Sequence, residues 1–235
     1  MSNYNFDGQQ DGDWEERGDL SWNEFDWQKY LKRNDKEVDR FIELYNANLH
    51  DPNRLDTVAH IIGWDADDWA VSDPTLDADP IIELEKMRDE DGENDDNDPY
   101  TILRHPVFIV ARGLYRNISR QFEALMAANA GTVDAQTAWE FAKYIHSGEE
   151  NAMLAVQALD VGDYTLAVCQ MKLAMNAVND TLKLLPVMAG KSNYMCKSFI
   201  VETHRQLFDL REVYLRVMTD CRDEIRRNWN EGDNN

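Results

Sequence analysis

Apolar side chains recur at three- and four-residue spacing through most of the second half of this 235-residue chain, the mark of helices that bury one face. After His105, the residues Val107, Val110, Ala111, Leu114, Ile118, Phe122 and Leu125 fall on one stripe, and Gly131 marks its end. A shorter helix follows in "VDAQTAWEFAKYIHSG", with Asp134 placed to cap its first turn and Gly148 at its close. The stretch from Glu149 to Pro186 reads as two helices joined by a tight turn at Gly162. From about Asn193 to Asn228 there is neither proline nor glycine, and Ile200, Leu207, Leu210, Tyr214, Val217, Cys221 and Ile225 share a face, which predicts one long helix. No segment alternates apolar and polar residues over a strand's length. The expected fold is all-α, with irregular N-terminal helices followed by an antiparallel helical bundle over residues 101–230.

The first hundred residues are less regular. Residues 1–20 are polar and acidic and read as a flexible tail, and residues 21–88 as short, acidic, tryptophan-rich helices. Ser21 and Glu24 have capping-box spacing, which starts a helix at about Trp22. "NDKE" repeats the signal, so Asn34 or Asp35 is expected to cap a second helix carrying Val38, Phe41, Ile42 and Tyr45. "DPNRLDTVAHIIG" predicts a short helix with an aspartate cap and proline at its first position, stopped at Gly63. "WDADDWAVSDPTLDAD" lacks a period and reads as a loop, and Asp79 and Pro80 open another short helix. Residues 89–100 form an acidic linker.

Charge sharpens this division. The net charge is −21, but residues 1–100 hold 29 Asp and Glu against 9 Lys and Arg, a balance of −20. Residues 101–235 hold 16 against 15, a balance of −1. A field of that sign repels phosphate backbones and anionic headgroups, so nucleic-acid and membrane partners are disfavoured, and the charge suits a basic protein partner, a cation or simple solubility. No apolar run approaches the length of about 20 residues that a membrane helix needs, and no secretory leader is expected from the acidic first residues. Three widely spaced cysteines, Cys169, Cys196 and Cys221, read as reduced core residues and point to the cytoplasm.

One local likeness adds to the pattern. Around "LAVQALDVGDYTLAVCQMKLAM", Leu154 and Ala155, the Gly162-Asp163-Tyr164 turn, and Ala167 and Ala174 are spaced so that small residues let two helices approach beneath a tyrosine. This segment, about residues 149–179, resembles a single tetratricopeptide-type helical hairpin. Shifting by the family's period of about 34 residues reaches no second copy, and Asn179 stands where the family usually ends a repeat with proline. The resemblance implies a protein-interaction surface and no catalysis.

The chemistry legible in the chain is sparse. "KMRDEDGENDDNDPY" has the look of a calcium loop, but setting Gly92 at the turn puts Met87 at the first ligand position and Asp98 at the twelfth, where a bidentate glutamate belongs. Pro99 also turns Asp98 away from helical geometry. A di-metal bundle needs Glu-x-x-His pairs, which do not occur, and paired zinc ligands, nucleophile elbows and phosphate loops are lacking too. No cofactor and no metal are therefore expected. Five of the seven tryptophans, at 14, 22, 27, 64 and 69, are interleaved with acidic residues. Trp22, Trp27, Trp64 and Trp69 either dock the N-terminal helices on the bundle or form an interface. Arg112, Arg116 and Arg120, four apart, make a basic ridge that suits an anionic ligand, acidic residues of the N-terminal half, or solvent. His204 shares a stripe with Ile200 and Leu207 and is expected at the core boundary, and His146 is a further candidate. The sequence thus favours a non-enzymatic helical interaction or regulatory protein. The alternatives are a helical ligand-binding or enzymatic bundle using those arginines and histidines, and an acidic mimic of nucleic acid.

Overall fold

A computed structural model describes residues 22–64, 101–128, 133–189 and 194–232 of the chain. The described residues contain six α-helices, one 3-10 turn and no strand: α1 Glu24–Ala47, α2 Arg54–Ile62, a turn at Ile102–Arg104, α3 Pro106–Ala128, α4 Ala135–Asp160, α5 Tyr164–Ala189 and α6 Tyr194–Gly232. They fall into two compact units, divided inside α1 between Lys36 and Glu37. Residues 37–64 thus share a unit with the bundle helices. The N-terminal tail, the loop after Trp64, the helix expected at Asp79, and the acidic linker lie outside the described residues.

The bundle is a closed four-helix ring. Helix α3 packs on α4, α4 on α5, α5 on α6, and α6 returns to α3, with α4 and α5 in the most extensive contact. Short connections between consecutive helices make them antiparallel. The stripes expected from sequence form the interior: Val107, Val110, Ala111, Leu114 and Ile118 of α3 meet Leu207, Leu210, Tyr214, Val217 and Cys221 of α6 in one buried cluster. Phe122, Phe141 and Phe199 join α3, α4 and α6 through ring contacts of 4.5, 5.9 and 5.7 Å. Ala155, Ala167 and Ala174 are fully buried, which brings the α4 and α5 backbones close. The turn between these helices runs through Gly162 at φ +74°, a left-handed conformation that glycine adopts without steric cost.

Local chemistry moved several helix ends from their expected places. The first cap is Asn23 rather than Ser21. Its Oδ1 accepts from Phe25 N at 2.8 Å and Asp26 N at 3.2 Å, while the Asp26 carboxylate accepts from Asn23 N at 3.0 Å. No new helix starts at Asn34 or Asp35; α1 continues through both, and Asn34 is buried within it. Helix α2 begins after Asn53 instead of at Pro52, because the Asp51 carboxylate holds the preceding turn through Asn53 N at 2.8 Å and Thr57 Oγ1 at 2.5 Å. Asp134 caps α4 as expected, accepting from Thr137 N at 3.0 Å, but the helix does not stop at Gly148. Helices α4 and α5 each run 26 residues, more than a repeat of about 34 residues can hold, so the likeness to a tetratricopeptide hairpin extends to the Gly162 turn and the buried Ala155, Ala167 and Ala174 but not to the helix lengths.

Two glycines explain how helices come together at close range. A Cβ at Gly113 of α3 would lie 2.9 Å from Phe41 Cδ1 and 3.2 Å from Ile42 Cδ1, so its absence lets the second half of α1 settle on α3. Phe41 and Tyr45 are fully buried there, Phe41 contributing roughly 1.5–3 kcal/mol of burial. Gly148 plays the same part inside the bundle, where the Tyr115 ring takes the place of a side chain.

Candidate functional site

The buried polar groups are the first place to look for chemistry. Asp209 of α6 accepts from Arg54 of α2 at two points, Nε to Oδ2 at 2.7 Å and Nη2 to Oδ1 at 2.5 Å. The Tyr45 hydroxyl of α1 donates to the same Oδ2, and Arg54 also reaches the Asp51 carbonyl at 3.3 Å. This bidentate, largely buried pair fastens α1 and α2 to α6. Inside the bundle the Tyr214 hydroxyl donates to that of Tyr115 at 3.0 Å. Gln206, on the buried face of α6, has neither amide atom hydrogen-bonded among the described residues, and Thr203 Oγ1 is likewise without a partner.

Apart from the charged Arg54–Asp209 pair, burial favours the neutral form of Tyr45, Tyr115, Tyr214, His105 and Cys221. Burial, and then the Asp209 carboxylate, push the Tyr45 phenol far above its usual range. Burial does the same to Tyr115 and Tyr214. Burial lowers His105 to about 4 against the opposing field of Asp160, and its Nδ1 already accepts from Val107 N at 3.2 Å, capping α3. Burial raises the Cys221 thiol to about 12. An activated nucleophile or a base poised near neutrality needs the opposite shifts. Among the described residues no three His, Cys, Asp or Glu side chains are grouped to hold a metal ion.

The residues singled out from sequence are dispersed. Trp64 stacks on Phe41, with centroids 6.2 Å apart and planes at 23°, and packs against the core. Trp22 and Trp27 meet edge to face at 5.1 Å, and each contacts the buried Tyr30, at 5.3 and 6.0 Å. Phe25, Trp27 and Leu31 are exposed at this end of α1. Trp69 lies outside the described residues. The arginine ridge is committed to carboxylates: Arg112 pairs with Glu149, and Arg116 and Arg120 both reach Asp39, at 2.9 and 3.5 Å. His146 is exposed on α4. His204 is exposed rather than at the core, because the buried arc of α6 runs through Thr203, Gln206, Leu207 and Leu210 and leaves position 204 outside it. Its ring stacks on Phe208 at 4.6 Å. Cys196 and Cys221 are buried, but Cys169, expected in the core, is exposed on α5.

One feature of α6 escaped the sequence reading. Tyr194, Val201, Phe208, Leu215 and Trp229 recur at seven-residue spacing, interrupted only by Arg222, and are 86, 60, 47, 48 and 75% exposed. Seven residues are nearly two helical turns, so these side chains form a slowly winding outer stripe, with steps of about 10 Å along the axis. The signal was present in the chain, but the helix already had a complete buried face, which hid a second periodic set. No protein-family model, curated protein or solved structure matches this chain.

Proposed function

We propose that this is a non-enzymatic helical protein that works by binding other proteins, in the cytoplasm. The observation that carries the reading is the outer stripe of α6. Five large apolar side chains exposed at seven-residue spacing along the longest helix, against three at that spacing on α5 (Leu166, Leu173 and Val187), make α6 the stronger docking face. The free thiols among the described residues suit a reducing compartment, and none of the helices described is long and apolar enough to cross a membrane. A second surface, Phe25, Trp27 and Leu31 on the acidic N-terminal half, suits a basic protein partner.

The test compares wild type with a Phe208→Asp, Leu215→Asp variant, both purified under mild conditions from the cells that make the protein. The reading expects a stoichiometric partner with wild type that is lost with the variant, at unchanged thermal stability. Equal recovery by both chains would contradict it.

A further inference from the structure

We infer that the outer stripe of α6 seats an acidic amphipathic helix of another protein. The inference rests on the association reading above and adds the partner's chemistry. Three residues beyond Tyr194, Val201 and Phe208, and so beside them on the same face, stand Lys197, His204 and Arg211. The Arg211 guanidinium lies over the Phe208 ring at 5.2 Å, with His204 stacked on that ring as well. Neither Lys197 nor Arg211 has a carboxylate partner among the described residues.

Arg222, which stands in the stripe itself, has none either, whereas the other four arginines of the helix are paired. Arg205 pairs with Glu202, Arg216 with Asp56 and Glu212, Arg226 with Asp223, and Arg227 with Glu224. All three carboxylates between Tyr194 and Leu215 are taken: Glu202 by Arg205, Asp209 by Arg54 and Glu212 by Arg216. In a chain of net charge −21, the cations left over on α6, Lys197, Arg211 and Arg222, thus border or stand in the exposed apolar stripe. A helix with apolar residues at heptad positions and Asp or Glu beside them would cover the stripe and neutralise that edge together.

The same edge argues against a second copy as the occupant. A parallel pair would set Lys197 against Lys197 and Arg211 against Arg211. An antiparallel pair with Tyr194 opposite Trp229 would face Phe208 with Leu215, but it would set Lys197 against Arg226, leave Arg222 against Val201, and offer Arg211 only a Glu212 that Arg216 already holds. A bilayer with anionic headgroups would meet a strongly acidic chain.

The test titrates the full chain, by calorimetry, with a helical peptide of about three heptads carrying leucine at the seam and glutamate beside it. A twin peptide carries lysine in place of glutamate. The inference expects the glutamate peptide to bind at least roughly tenfold tighter, Phe208→Asp to abolish binding, and Lys197→Glu with Arg211→Glu to reverse the preference. Phe208→Ser replaces Phe208→Asp should circular dichroism show the latter unfolded. Equal affinity for both peptides, weakened alike by Phe208→Asp, overturns the acidic chemistry and leaves the association reading standing. Failure of both peptides to bind overturns the inference. So does self-association in sedimentation, or binding to phosphatidylserine vesicles, that Phe208→Asp removes.

Discussion

The hydroxyl end of Tyr115 fills the space that a side chain at Gly148 would need. Tyr115 Cζ and Cε1 lie 2.9 and 3.1 Å from where a Cβ would sit, closer than carbon atoms pack. The ring is also buried and its hydroxyl is tied to Tyr214 on α6. Three helices therefore depend on one missing methyl group.

Replacing Gly148 by alanine should destabilise the protein by about 1–3 kcal/mol in urea unfolding, although alanine is the better helix former by about 1 kcal/mol. Adding Tyr115→Phe, which removes the closest atom, should return part of the loss. A stability gain from Gly148→Ala alone would refute this packing.

That contact also shows where sequence reading stopped. A glycine after a helical run is a fair stop signal, and the ring that makes it a packing device comes from a helix 33 positions earlier. The buried stripes of α3 and α6 were legible because helical period and apolar content coincide in them. His204 was misplaced because Thr203 and Gln206 disguise the true buried arc with polar side chains. Asn34 looked like a cap because nothing local says that α1 continues through it. The Asp209 clamp was invisible for another reason: its partners Tyr45 and Arg54 stand more than 150 positions away.

Asp209→Ala should cost about 3–5 kcal/mol, because it strands the Arg54 guanidinium and leaves the Tyr45 hydroxyl without its acceptor. The double change Arg54→Met, Asp209→Leu should cost less than the sum of the single changes, since no buried charge is then left alone. Additive losses in a denaturation cycle would show the pair to be uncoupled.

His105 predicts a pH dependence. Its value in the folded protein, about 4, lies below its ordinary 6.5, so between the two the unfolded chain binds more protons and stability rises with pH. The contribution is whole above pH 6.5, erodes as pH falls through 6.5 towards 4, and levels off below that; the full difference is about 3 kcal/mol. His105→Asn keeps an acceptor for Val107 N and removes the titration. Its stability measured from pH 7 to 4 should therefore fall less than wild type's. Parallel curves would exclude His105 as the group responsible.

The central claim, that α6 presents a protein-docking face, is tested most directly by a benzophenone side chain placed at position 208 of the full-length chain in the cells that make it. Irradiation should give one discrete adduct with a different protein, absent when the probe stands at the exposed Lys172 of α5. No adduct at 208, an adduct only with a second copy of the chain, or the same adduct from both positions would contradict the account.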